Sequence, residues 1–230
     1  MTDPRTPYPV RVDADAEPSV SRGLWLVKWF LLIPHFIALL FLWVGFCVVS
    51  VIAFFAILIT GRYPRPLFDF NVGVLRWTWR VNYYGYGALG TDRYPPFTLA
   101  EVAVYPAHLE VPYPEHLSRG LVLVKWWLLV LPHLIVLSII VGGGLWAGSR
   151  ATTDDGWNVL STGGGLVALL VLISAIALLF TGRYPRSLYD LVLGFDRWAL
   201  RVAAYTGLMT DRYPPFRLDQ GGTDPATPQV

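Results

Sequence analysis

Asp69, Gly73, Arg76 and Arg80 fall on one narrow stripe when the chain is wound at 100° per residue. Asp190, Gly194, Arg197 and Arg201 repeat the stripe. Two guanidinium groups one turn apart match phosphate oxygens in bidentate geometry, and the glycine lets a phosphate approach the backbone. The chemistry this offers is capture of an anionic lipid head group. The structural alternative is internal pairing. Asp69 sits two turns from Arg76, too far for a one-turn helix pair, so it needs another partner. Two related halves suggest Asp69 with Arg201, and Asp190 with Arg80. Rare charges near a membrane usually pair with one another, which favours this second reading.

Lys28 and His35 recur as Lys125 and His133, each pair at near-helical spacing inside an apolar run. A histidine deep in such a run is a candidate proton relay or ligand contact. The plainer reading is a bond to a neighbouring helix, or to a carbonyl freed by the adjacent Pro34 or Pro132. No carboxylate accompanies these histidines within the runs, so a metal site or proton pathway lacks its usual partner. The lysines are expected to snorkel to the membrane surface. Gly144 and Gly148 form a weak Gly-x-x-x-Gly contact pattern.

Arg62-Tyr63-Pro64 and Asp92-Arg93-Tyr94-Pro95-Pro96-Phe97 could present extended, aromatic-rich chain to a partner. Boundary chemistry explains them more simply, because proline stops a helix and forces its predecessor to be extended. The chain holds no Walker lysine motif, Gly-x-Ser-x-Gly, His-Glu-x-x-His or Cys-x-x-Cys. No catalytic, cofactor-binding or metal-binding residue is assigned, and no cofactor is expected.

These groups sit in a chain of 230 residues that is 54% hydrophobic and only 15% charged, with a mean hydropathy of +0.48. Soluble domains carry roughly 25% charged residues. The composition excludes disorder and a nucleic-acid-binding arm, and the lone Cys47 excludes a disulfide scaffold. It points to an integral membrane protein. The acidic start does not resemble a signal peptide, so the first apolar segment is expected to be retained.

Three apolar runs stand out: Leu24–Thr60, Leu121–Gly148 and one ending at Thr181. The first is roughly 55 Å as one helix, too long for a bilayer, and reads better as two short spans with a tight turn near Trp43–Gly45. Arginines crowd the stretches 61–119 and 182–217, while Asp154 and Asp155 mark the loop between them. The positive-inside rule then places four spans with both termini in the cytoplasm of a cell inner membrane. An interfacial helix followed by one tilted span in 36–60 is the alternative.

The motifs recur in order. Tyr8-Pro9 returns as Tyr105-Pro106, Ser21-Arg22-Gly23-Leu24 as Ser118-Arg119-Gly120-Leu121, and Thr60–Arg65 as Thr181–Arg186. Arg76-Trp77 and Arg80-Val81 return as Arg197-Trp198 and Arg201-Val202, and Asp92–Phe97 as Asp211–Phe216. The chain reads as a tandem duplication with a pseudo-two-fold axis along the membrane normal. The pattern Arg-Tyr-Pro, Asp, Arg-Trp, Arg-Val, Asp-Arg-Tyr-Pro-Pro-Phe resembles a bacterial membrane family defined as domain of unknown function four-three-eight-nine. The resemblance covers nearly all of Tyr8 to Leu218. It implies a membrane location and carries over no catalytic or ligand-binding residue.

The expected fold is mainly α-helical: four transmembrane helices in two parallel tandem repeats, with cytoplasmic interfacial amphipathic helices and a small β-layer. An N-terminal tail, 1–7, precedes repeat 1 at 8–104, with spans at about 23–43 and 46–60 and an interfacial helix at about 66–87. Repeat 2 is 105–218, with spans at about 120–147 and 159–181 and an interfacial helix at about 187–207. Residues 219–230 form a disordered tail. Alternation marks strands at 10–17, 98–104 and 107–111, with Phe97 and Phe216 anchoring the edges of the layer. Ser21 and Ser118 are the expected helix caps. The leading functional expectation is a non-enzymatic scaffold or accessory subunit whose partners are membrane lipids, anionic ones among them, and a membrane protein. A small transporter, channel or anionic-lipid-binding protein is the second, and a membrane enzyme acting on lipid the third.

Overall fold

The computed structural model describes residues 8–15, 20, 21, 23–85, 87–140, 166–181 and 186–219. The expected N-terminal tail, the C-terminal tail beyond Asp219, the Gly144 and Gly148 pattern and the Asp-containing loop lie outside the described residues.

Residues Trp25–Thr60 form one unbroken helix, α1. The turn expected near Trp43–Gly45 is not formed, and with it the two-span reading of this segment falls. The reason is a continuous seam. Lys28, Leu32, His35, Leu39, Phe46, Ala53 and Ile57 are buried, spaced by threes, fours and sevens as in a coiled-coil stripe. Gly45 does not break the helix; it lets the Phe70 ring approach, at 3.1 Å from where a Cβ would stand. Pro34 is accommodated within the helix. Gly61 ends it in the left-handed conformation, at φ 73°, with its N–H on the Ile57 carbonyl. By length and composition α1 is the one described helix able to cross a membrane, with a mean hydropathy of 2.8 over an 18-residue stretch.

Helix α2, Arg65–Tyr84, runs back along α1. Asn71 donates to Ser50, Trp43 donates to Thr78, and Trp77 donates to His35, so the two helices are antiparallel. Twelve of its residues are buried, among them Trp79, Tyr83 and Tyr84. An amphipathic helix is borne by this segment as expected, but its apolar sides are spent on neighbouring helices.

The second half begins with α3, Arg119–Val124, continues through a π-helical turn at Lys125–Leu129, and resumes as α4, Leu131–Ile140. Helices α5, Leu166–Thr181, and α6, Arg186–Thr206, complete it. The π turn has a simple arithmetic. Lys125 and His133 are one residue further apart than Lys28 and His35, and a π turn absorbs one extra residue. Both pairs therefore face the same way, and all four side chains are fully buried.

Strands β1, Arg11–Ala14, and β2, Ala107–Glu110, pair antiparallel with Val12 opposite Leu109. Residues 98–104, expected as a strand, form bends and turns instead. Ser118 caps α3 by accepting from the Leu121 N–H. Ser21 does not cap α1, which starts after Leu24; its own N–H is taken by Asp92 at 2.5 Å.

Strand β1 packs on α6 and β2 on α2. Arg197 Nε donates to the Val12 carbonyl at 2.9 Å, and Arg76 Nε to the Leu109 carbonyl at 3.0 Å. Both arginines lie near the middle of their helices. The two-stranded sheet thus sits across the midpoints of α2 and α6, and its outward carbonyls at the central pair are closed by guanidinium groups. This also blunts the open edges of a two-stranded sheet.

Candidate functional site

The polar residues singled out by sequence fall into two sets with matching contacts, except that His133 makes no hydrogen bond among the described residues where His35 accepts from Trp77. In the first, α1 presents Lys28 and His35 on its seam. Beyond Gly85 the chain turns back over them, with Leu89 held at φ 52°. In the second, Leu208 is held at φ 62°. A non-glycine in the left-handed region costs about 1–2 kcal/mol. Burial of both leucine side chains holds the turn in place, two residues before Thr91 and Thr210.

Those turns deliver carbonyls and carboxylates to the lysines. Lys28 Nζ donates to the Thr91 carbonyl at 2.6 Å and stands 3.1 Å from Asp92 Oδ1. The Tyr84 ring lies 4.6 Å below it. Lys125 Nζ donates to the Thr210 carbonyl at 2.7 Å and to Asp211 at 2.8 Å, over the Tyr205 ring at 4.8 Å. The second carboxylate oxygen of Asp211 accepts from the Ser118 N–H at 2.6 Å, as Asp92 accepts from Ser21. The lysines therefore do not snorkel. A charge taken out of water needs a partner and filled hydrogen bonds, and the Thr-Asp step supplies both.

His35 Nδ1 accepts from Trp77 Nε1 at 3.0 Å, so the neutral ring carries its proton on Nε2. The ring stacks on Phe97 at 4.0 Å with Tyr94 beside it at 4.9 Å. His133 stacks on Phe216 at 4.2 Å, beside Tyr213 at 4.8 Å and Trp198 at 5.6 Å. Phe97 and Phe216 thus cover the histidines, rather than anchoring the β-layer. The neighbouring-helix reading describes His35.

On α2 the stripe faces the segment that follows Phe97. A Cβ on Gly73 would meet Leu99 Cβ at 2.7 Å, and one on Gly194 would meet Leu218 Cβ at 2.7 Å. The glycines admit a crossing chain where a phosphate was envisaged. Arg80 donates to the carbonyls of Thr98 and Ala100. Arg201 donates to those of Arg217 and Asp219, at 3.2 and 2.6 Å. Burial lowers the pKa of both guanidinium groups from the ordinary value, and the carbonyl pairs offset that cost. Arg76 reaches Glu101 at 2.9 Å. Asp69 and Asp190 lie exposed, so the expected pairs Asp69 with Arg201 and Asp190 with Arg80 give way to arginine–carbonyl bonds.

Sequence reasoning passed over Thr91, Asp92, Thr210 and Asp211 as ligands of the lysines. Their recurrence in Thr-Asp-Arg-Tyr-Pro-Pro-Phe was the available signal. It also missed Asp196, which stands in α6 where α2 has Leu75. Asp196 Oδ2 is buried with no hydrogen-bond partner among the described residues, and burial raises this carboxyl well above the ordinary range.

In chemical terms the arrangement fastens loops to helices. The side chains of Lys28, Lys125, His35, His133, Arg80 and Arg201 are all buried, each against groups of this chain. The sequence model of one protein family, a domain of unknown function (DUF4389), matches residues 22–98 and 156–217, more than half of the chain. No curated protein and no solved structure matches it.

Proposed function

We propose, for a chain that belongs to the DUF4389 family, a non-enzymatic role as a membrane-embedded scaffold or accessory subunit made of two structural copies. The observation that carries this reading is the internal use of its polar groups. Both lysines, both inner arginines and His35 are hydrogen-bonded within the fold, and His133 is packed against Phe216 and Tyr213, which leaves shape and surface as what the molecule offers. The matched contacts at Lys28 and Lys125, and at Arg80 and Arg201, support the duplication. The apolar exposed side of α1 supports residence in a membrane, and the arginine-rich segments support the cytoplasmic face of the inner membrane, with both termini inside.

A lipid-handling role is the second reading. An open apolar cavity of about 390 Å³, lined by Phe46, Cys47, Val51, Phe54, Phe55 and Leu208 among others, favours it.

The test is a carbonate wash of native membranes, then mild-detergent extraction and intact mass spectrometry. Retention through the wash and a stoichiometric protein partner are expected. Release by carbonate overturns the membrane reading. A bare chain carrying a retained anionic lipid overturns the scaffold reading in favour of lipid handling.

A further inference from the structure

We propose that α1 lies flat within one leaflet of the membrane, and that the β1–β2 face looks out to water above it. The inference rests on the membrane reading above and deepens it by assigning the surface that meets lipid.

The arrangement of elements fixes the geometry. Tyr83 at the end of α2 meets Tyr189 at the start of α6, with 2.8 Å between hydroxyl oxygens. Tyr63, just before α2, donates to the Gly207 carbonyl just after α6. Helices α2 and α6 are therefore antiparallel. In the ladder, Val12 faces Leu109, and these two residues hold the same place in the two sets of motifs. The axis relating the copies passes through that pair and across the middles of α2 and α6, perpendicular to both. Because α1 is antiparallel to α2 along its length, the axis is perpendicular to α1 as well.

The charges decide how this assembly sits. Arg11, Asp13 and Glu110 are exposed on the sheet, and Arg76 with Glu101 lies beside it. Trp43, which donates to Thr78, marks the part of α1 level with the middle of α2, on which β2 packs, and it is close to the helix midpoint. An upright α1 centred in the bilayer would carry those exposed charges to mid-membrane depth, where an ionised side chain is strongly disfavoured. Sliding the helix along its axis moves the sheet toward the surface but puts Val48, Val51, Ile52, Phe55 and Ile59 into water, and all five are exposed. Laid flat, the helix is roughly 54 Å long yet only about 10 Å thick, and it fits in one leaflet of a hydrocarbon core roughly 30 Å deep.

The flat seating also sorts the surfaces. On α2 and α6 the sides opposite Gly73 and Gly194 carry Thr78, Asn82, Ala199 and Ala203, together with one ionisable group, Asp196, whose carboxyl burial favours in its neutral form. The exposed arc of α1 is apolar from Leu26 to Ile59, as are the described exposed positions of α4 and α5, including Leu134 and Leu172. Exposed arginines stand at the rim: Arg62, Arg65 and Arg119 near one end of α1, and Arg93 near the other. That ring complements anionic head groups.

The decisive experiment labels the two ends of α1 in sealed native vesicles, right-side-out and inside-out, with a membrane-impermeant thiol reagent. Ser21→Cys, Arg62→Cys and Glu110→Cys are each made on a Cys47→Ser background and checked for an unchanged thermal transition in detergent. Flat seating predicts that positions 21, 62 and 110 are labelled equally, and all from the same vesicle face. Labelling of positions 21 and 62 from opposite faces overturns it while leaving membrane embedding intact. Failure to label position 110 from either face also overturns it. Release of the parent chain by carbonate sinks the embedding itself, so the two readings fail separately.

Discussion

Lys28 Nζ stands 3.1 Å from the Asp92 carboxylate, on a side chain wholly removed from solvent while the aspartate keeps 24% of its surface. The pair is asymmetric in burial, and that asymmetry sets its mutational behaviour. Asp92→Ala leaves an ammonium in a closed site and is expected to cost about 3–5 kcal/mol. Lys28→Met leaves a partly exposed carboxylate that still accepts from the Ser21 N–H, so its cost is smaller. The double variant should be more stable than Asp92→Ala alone. Chemical denaturation in detergent, run as a double-mutant cycle, checks the order.

The π turn at Lys125–Leu129 yields a second prediction. Deleting the exposed Leu128 brings the Lys125–His133 spacing to that of Lys28–His35 and should convert the turn to ordinary α-helix with little loss of stability. Deleting Phe30, exposed at the matching place in α1, rotates His35 by about 100° away from Phe97 and should unfold that half. Thermal unfolding followed by tryptophan fluorescence distinguishes the two deletions.

Gly73→Ala and Gly194→Ala place a methyl group against Leu99 and Leu218, whose carbonyl oxygens stand at 3.0 and 3.1 Å from it. The crossing chain must shift, and with it the carbonyls that hold Arg80 and Arg201. Each change should cost about 1–3 kcal/mol. A melting temperature equal to that of the parent would contradict the close approach.

Asp196 supplies a pH dependence of unusual sign. Burial raises its pKa, so the folded protein holds this proton more tightly than the unfolded chain does. Stability from this group is fullest at low pH and is lost as pH rises through the raised value. Asp196→Asn should therefore be the more stable protein at neutral pH, by roughly 1–3 kcal/mol. The advantage should shrink as pH falls toward the ordinary carboxylate range. Parallel melts at pH 5 and pH 8 give the answer.

Much of this was legible in the sequence. The alternation at 10–17 and 107–111 marked β1 and β2, and the stripe of Asp69, Gly73, Arg76 and Arg80 marked α2. The continuity of α1 was also written there, because the seam from Lys28 to Ile57 keeps its period straight through Trp43 and Gly45. A rule about bilayer thickness outweighed that period. Two other features could not be read. The destination of Arg80 is a pair of backbone carbonyls, and backbone carbonyls leave no mark in composition. The burial of Lys28 depends on Thr91, a residue 63 positions away, brought close by a left-handed leucine that no local preference favours.

The strands pack crosswise: β1 lies on α6, and Tyr8 donates to the carbonyl of Arg212 across 204 positions. Strand β1 can pair with β2, and Trp79 and Tyr83 of α2 can reach the carbonyls of Asp13 and Asp15, before α6 exists, but its far side is covered only when α6 has been made. Until then the sheet is supported from one side, and the apolar surface that the second copy will cover must be sheltered by the insertion machinery or by lipid. A chain interrupted before α6 would leave the side of β1 that α6 covers open, and quality-control proteases would meet a half-seated sheet.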